Sequence, residues 1–299
     1  MCIRDSAQTD CDPEFVSIQP NFNRIIIRAT GNDDTDNIQC GFNLAIQQNI
    51  AEIFLGDAAY YLGPVIAVGY RGTVRGAGMN RTTLIALPER IDCNAIDRKP
   101  GLLKFSGGEV ILKWLSIEGS SPCTDSTAHL SLVHFTGRNR SDIDCKPDII
   151  NAEVDRVRVT AMGGGFVTGI SASPEETEID TCHDTLLGRF RVNRSSIHNA
   201  HRGLEVWMVG TAQVDVTFDV FENNATAVYF IDTEAEAKVS NCDFQLNGDA
   251  IYVSNAAGYA PETRIFVIEN NFRVPNGYGI HLRGMATEEI YAYQQSRPV

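Results

Sequence analysis

NATAVYFIDTEAEAKVSNCDFQLNGDAIYVSN, residues 224–255, carries one short phrase twice. NATAVYF at 224–230 returns as NGDAIYV at 247–253, with a tyrosine at the same place in each. Working outward, the phrase belongs to a pattern of a bulky residue, an asparagine-rich turn, then a small residue followed by an apolar one. Four copies occur: IHNAHRGLEVW from Ile197, FENNATAVYFI from Phe221, FQLNGDAIYVS from Phe244 and FRVPNGYGIHLR from Phe272, with starts 24, 23 and 28 residues apart. The longest gap holds NAAGYAPET (255–263), a loop by composition. Upstream of each start lies an apolar pair with one residue between its members: Phe190/Val192, Val214/Val216, Ala237/Val239 and Ile265/Val267. Each copy therefore reads as two short strands of period two.

A unit of this length with short strands and Asn/Gly turns cannot bury a face alone and must stack on its neighbours. The L-x-x-L-x-L spacing of leucine-rich repeats is absent, and no copy holds the longer amphipathic segment that a helical repeat needs. What remains is an all-β solenoid, a single-stranded parallel β-helix with rungs of about 22–25 residues and like residues stacked about 4.8 Å apart. Asn223, Asn224, Asn247 and Asn276 then fall at equivalent turns, where stacked amides satisfy one another.

TGNDDTDNIQCGFNLAI (30–46) resembles the N-terminal signature of the right-handed parallel β-helices of the pectate-lyase-like superfamily, a Gly-Asp-Asp-Thr turn capping a short helix. The residues agree: Asp33, Asp34 and Thr35 are good helix caps, and Ile38, Phe42 and Ile46 fall on one face. That face is expected to plug the open end of the solenoid, which otherwise exposes core and unpaired strand edges. IFLGDAAYYL (53–62), VGYRGTVRGAGMNRTTLI (68–85) and LKFSGGEVILKWLSIEG (103–119) are similar to the family's first rungs. The resemblance implies right-handed coiling over residues 24–284, with a capping helix at about 34–48, an N-terminal extension at 1–23 and a tail or truncated end at 285–299. Gly76 and Gly78 mark a turn, since the third glycine and following helix of a phosphate loop are missing. The superfamily hosts many activities, so function has to be argued from a site.

Alternation turns Leu204, Val206, Val228, Phe230, Ile251, Val253, Ile280 and Leu282 inward. Two outward columns follow: Glu205, Tyr229, Tyr252 and His281, then Trp207, Ile231, Ser254 and Arg283. Four rungs span about 14 Å, the length of a few sugar units, and rings in register offer flat faces to pyranoses. Tyrosine and tryptophan are also ordinary strand residues that simply cover a sheet. GRFRVNRSSIHNAHRG (188–203) adds four arginines and two histidines to an otherwise acidic chain. Arg189, Arg191 and Asn193 share an outward face, with His198, His201 and Arg202 in the turn that follows. Guanidinium groups pair with carboxylates, so a uronate polymer suits the patch, and a lyase would take the C5 proton with a neighbouring base. A solvated balance of charge with Asp180, Asp184 and Glu205 is the plainer reading of the same residues.

The expected function is a carbohydrate-active β-helix that binds and cleaves a polysaccharide, as lyase or glycoside hydrolase. Its candidate catalytic groups are Arg191, His198, His201, Glu205 and His281; its candidate binding residues are Trp207, Tyr229, Tyr252, Arg283 and Arg189. Hydrolysis would need converging carboxylates, for which Glu205, Asp215 and Asp232 are available. The paired aspartates and Gly-His-Gly of polygalacturonase-type relatives are absent, as is the Trp-x-Asp-His signature of calcium-dependent pectate lyases. The alternative is a non-catalytic solenoid of the adhesin, surface-layer or phage-tail kind. No cofactor is expected: calcium has no motif, and His198 and His201, three apart in an extended segment, do not chelate.

A net charge of −13 opposes binding to nucleic acid or anionic membranes, and no apolar run of spanning length occurs. A monomer acting on polymer is expected. Eight cysteines point to an oxidising compartment, hence a secreted, periplasmic or cell-surface protein. Cys93, Cys123, Cys145 and Cys182 sit in polar stretches, and sequential pairing gives Cys93–Cys123 and Cys145–Cys182, with Cys11–Cys40 as a third bridge. Zinc is the competing use, although no C-x-x-C pair is present; Cys242 reads as a small buried hydrophobe. MCIRDS at the start resembles a translated sequencing linker, so the lack of a leader there is uninformative.

Overall fold

The computed structural model describes residues 11–93, 101–123, 130–137, 150–163, 166–173, 187–207, 212–231, 235–254, 264–275, 277–283 and 289–293. The chain is a right-handed parallel β-helix with an N-terminal capping helix. Each coil holds three strands rather than the two that the sequence pattern suggests. In one coil they are Leu187–Asn193, Ser196–His198 and Arg202–Trp207; in the next, Ala212–Thr217, Val220–Glu222 and Thr226–Ile231. The extra strand is the three-residue segment centred on the bulky repeat residue. It is cut from the strand before it by a left-handed residue: Arg194, Phe218, Asn241 and Glu269 all have φ between 49° and 60°. Trp114 and Arg156 do the same inside the longer strands Gly108–Gly119 and Ile150–Ala161. Such residues cost about 1–2 kcal/mol when they carry a side chain. Only the stacked coils on either side make that cost tolerable, so the corner leaves no glycine or asparagine signature at most positions.

Stacking in register produces three sheets. The first and second are joined through the two long strands into one 17-stranded hydrogen-bonded net, and the third is an 8-stranded parallel sheet. The core is a set of ladders. Phe244 lies between Phe221 and Phe272 with ring centroids 5.2 and 5.1 Å away and planes 8° apart in each pair. Phe105 stacks on Phe135, and Phe135 meets Phe190. The residues assigned inward on the third sheet are buried, except that Ile280 is half-buried and Leu282, on its last strand, is 48% exposed.

Helix α1, Thr35–Gln48, covers the N-terminal end of the solenoid with Ile38, Gly41, Phe42 and Ala45. Ile46, expected on that face, is exposed; Ala45 takes its place because the packed face follows i, i+4, i+7. Phe42 meets Tyr70 and Phe105 edge-on at 5.4 and 5.7 Å. Gln39 pairs with the edge strand of the third sheet as a neighbouring strand would: its Nε2 donates to Ile66 O at 2.8 Å and its Oε1 accepts from Ile66 N–H at 2.9 Å. Asp34 is fully buried and accepts from the N–H groups of Thr30 and Tyr61 instead of capping the helix with its side chain. The Gly76–Gly78 segment is a turn, and a Cβ at Gly76 would lie 2.4 Å from Trp114 O.

Two asparagine ladders run along the second-to-third corner. Asn224 and Asn247 are buried: Ala200 N–H donates to Asn224 Oδ1, Asn224 N–H donates to Asn247 Oδ1, and their amides donate to the carbonyls of Ile197 and Phe221. Asn223 belongs to a separate, exposed ladder one position earlier, donating to Asn199. Asn276 lies outside the described residues, as do Cys145, Cys182 and Asp232.

The bridges Cys11–Cys40 and Cys93–Cys123 are present, with Cα separations of 5.7 and 5.5 Å, and Cys242 is a buried free thiol. Each bridge closes a loop of about 30 residues, worth roughly 3–4 kcal/mol in the chain-entropy account. Reduction under native conditions is expected to lower the melting temperature by several degrees, read by circular dichroism with and without a phosphine reductant. An unchanged melting temperature would contradict this. Among the described residues, no helix is long and apolar enough to cross a membrane.

Candidate functional site

The third sheet presents one continuous outward column across all its strands: Ile66, Lys104, His134, Ser171, Glu205, Tyr229, Tyr252 and His281, each paired in register with the next. The last four are those expected from alternation. Lys104, His134 and Ser171 were not found from sequence, because their coils lack the asparagine corner that defines the repeat. Period-two alternation in GLLKFS and LSLVHFT would have located Lys104 and His134.

The column has two different halves. Lys104, His134, Ser171 and Glu205 are buried, the last only 1% exposed, so Glu205 does not face open solvent as expected. Ser173 Oγ lies 3.0 Å from His134 Nε2 and 3.2 Å from Ser171 Oγ. From Tyr229 onward the column is half-buried and accessible. Tyr229 and Tyr252 have centroids 4.9 Å apart, and Tyr252 meets His281 edge-on at 4.6 Å. Tyr278, 63% exposed, has its ring centroid 4.8 Å from that of His281.

A second, parallel column stands three residues earlier: Gly101, Ser131, Thr168, Arg202, Thr226 and Asp249. Positions i and i+3 normally face opposite ways in a strand. Here they share a face because Gly203 and Leu204 both turn inward; a Cβ on Gly203 would lie 3.2 Å from the Phe221 ring, and Leu204 is fully buried. Arg202, read from sequence as a turn residue, is therefore the first residue of its strand and lies beside the ring column. Its guanidinium donates to Glu205 at 2.7 Å and sits 4.3 Å from the Tyr229 ring centroid. The same geometry brings Asp249 to His281, Oδ2 to Nδ1 at 3.0 Å, while Asp249 Oδ1 accepts from Tyr278 N–H at 3.1 Å. The Tyr252 phenol is the main cause that raises the Arg283 pKa. Burial is the main cause that pushes the Tyr229 phenol up, so it stays protonated at neutral pH.

The other sequence candidates are elsewhere. Arg189 and Arg191 lie on the first sheet, opposite Asp215 at 3.4 Å and Glu153 at 3.6 Å, where charges of alternating sign balance one another. His198 is on the second sheet, 3.3 Å from Glu222. His201 occupies the corner, edge-on to Phe166 at 4.7 Å, with its pKa lowered by burial and then by Arg202. Trp207 is on the third sheet beside Ile231. The five catalytic candidates thus occupy different faces of the coil, and only Glu205 and His281 share one column. The sequence could not separate them because corner angles, not spacing, decide which sheets adjoin. Among the described residues, no three His, Cys, Asp or Glu side chains gather to hold a metal ion.

No family model matches the chain, and no curated protein does. Among solved structures, the chain is similar to tailspike protein 2 of the Escherichia coli O157:H7 bacteriophage CAB120, at a TM-score of 0.50 and 11% identity over 87% of this chain. The match spans 36% of the tailspike's own length. Similarity also extends to the A-module of the Azotobacter vinelandii mannuronan C-5 epimerase AlgE4, with a TM-score of 0.43, 10% identity and coverage of 87% of this chain and 96% of that one. The Agl-KA catalytic domain matches at a TM-score of 0.36 and 11% identity over 88% of this chain and 66% of that chain. At such identities the likeness speaks to the fold.

Proposed function

We propose that this chain is an exported β-helix that binds a polysaccharide along the outward face of the third sheet, from Arg202 to Arg283, and cleaves it there. The observation that carries the reading is the accessible ring ladder Tyr229–Tyr252–His281, with one end of the ladder held by a carboxylate. Rings in register provide apolar platforms for successive pyranoses, and Arg202 and Arg283 border them with positive charge. Two disulfides in one chain favour an oxidising, extracytoplasmic setting.

A β-elimination on a uronate polymer suits these groups. When His281 Nδ1–H donates to Asp249, Nε2 carries the lone pair and is the atom able to take the C5 proton. A guanidinium at the sugar carboxylate stabilises the charge that develops, and the C4–O bond then breaks with the leaving oxygen protonated by water. Glu205 is buried and bonded to Arg202, so in this scheme it orients that arginine.

The test is a panel of uronate and neutral polysaccharides, scored for unsaturated-uronate absorbance, new reducing ends and retardation in polymer-containing native gels. A uronate polymer is expected to retard the protein and to yield the unsaturated product. Retardation without product would retain the binding face and reject cleavage. No retardation by any polymer, with Tyr252→Ala indistinguishable from the parent, would reject both.

A further inference from the structure

In four successive coils the corner between the first and second sheets carries a buried residue with a polar side-chain atom directly after the left-handed residue: Ser195, Asp219, Cys242 and Asn270. Two kinds of bond recur among them, and Asn270 makes both. First, the side chain accepts the N–H of the corner residue one coil earlier: Val157 to Ser195 Oγ at 3.1 Å, Ser195 to Asp219 Oδ1 at 2.7 Å, and Cys242 to Asn270 Oδ1 at 2.9 Å. Second, the longer side chains donate to the carbonyl of the valine three residues before that earlier corner. Asn270 Nδ2 reaches Val239 O at 2.9 Å, and Cys242 Sγ lies 3.6 Å from Val216 O and 3.4 Å from Ser240 O on its own coil. Asn224 and Asn247 repeat the pattern at the next corner. A residue in such a ladder needs one end that accepts and one that donates.

Asp219 occupies one of these positions with a carboxyl group. Val192, Val216 and Val239 are in register, so the carbonyl that its second oxygen faces by this pattern is that of Val192. An ionised carboxylate has no proton to offer there, and Oδ2 is buried with no group donating to it. We propose that Asp219 is built into the solenoid as a neutral carboxylic acid donating from Oδ2 to Val192 O, so that its ionisation loosens the coil 212–231, which carries Tyr229.

The surroundings support this assignment. Burial pushes the Asp219 carboxyl up to about 8; the N–H groups of Ser195 and Thr217 offset this in part, and the nearby Asp155 reinforces it. Asp155 is itself held by Arg194 at 2.8 Å and by Asn193. Cys242, on the following coil, has its thiol pushed up by burial first and then by Asp219, and stays protonated. Because the folded value lies above the 3.8 of an ordinary carboxyl, the stability linked to this group is complete below that value and is lost as pH rises through neutrality. Between the two values each pH unit raises the unfolding constant about tenfold, and above the folded value the loss levels off.

Asp219→Asn restores an amide that accepts and donates like Asn270 while carrying no charge. Urea unfolding of the full chain and this variant from about pH 5 to about pH 9.5 cancels the pH response of all other groups. The ratio of parent to variant unfolding constants is expected to rise with pH through neutrality and flatten above about pH 8. Infrared spectroscopy of the parent provides a measurement that does not depend on the variant folding. A protonated-carboxyl band is expected at neutral pH and should disappear on alkaline titration. A pH-independent ratio, or the lack of that band at pH values between 5 and 7, overturns the proposal.

Discussion

Phe244→Ala is expected to lower the unfolding free energy by about 3–5 kcal/mol, measured by urea denaturation followed by circular dichroism. Phe244 is fully buried and stacked on both sides, so truncation leaves a void that touches three coils at once. The ring cannot be replaced by relaxation, because backbone ladders to Phe221 and Phe272 fix the spacing. In a quasi-linear solenoid the loss is expected to appear first in the coils adjoining Phe244, as faster hydrogen exchange there. Phe218→Asn is the contrasting variant. Phe218 is 59% exposed and left-handed at φ 60°, so asparagine should be neutral or stabilising by up to about 1 kcal/mol. Equal destabilisation by the two substitutions would mean that the stacked ladder is not the source of stability.

His281→Ala is expected to reduce turnover of the polymer by about 10²–10⁴-fold while leaving polymer retardation within a few-fold of the parent. The histidine is half-buried on a peripheral strand, so the fold should survive its removal. Asp249→Asn should lower kcat with little change in KM, because it disturbs the tautomer that exposes Nε2 and leaves the rings in place. Tyr252→Ala should instead weaken binding, since it removes the central ring of the ladder. Full turnover by His281→Ala would remove the His281–Asp249 pair from the mechanism even if the binding face were real.

Much of the fold was legible because a solenoid repeats its constraints. Phe221, Phe244 and Phe272 recur at nearly constant spacing, and each has to sit over the last for any of them to be buried. The same logic placed Tyr229, Tyr252 and His281 in one outward column. Asp249 was not found because a residue three positions before Tyr252 belongs on the opposite face of a regular strand. The paired inward turn exemplified at Gly203 and Leu204 reverses that expectation, and glycine or alanine at such a position is too common to signal it. The grouping of Arg191 and His198 with Glu205 failed for a related reason: nearness in sequence across a corner places residues on different sheets.

By itself the sequence determined the stacked-repeat architecture, most of the inward residues of the repeated coils and the identity of the outward rings, since these follow from periodicity, which is a local property. Only the tertiary structure decided the corners, the buried state of Glu205, the joining of Arg202 and Asp249 to the ring column and the burial of Asp219 in a corner ladder. Those depend on which atoms of neighbouring coils meet. That is set by left-handed residues such as Arg194 and Phe218, whose side chains do not favour the conformation that the stacked coils impose on them.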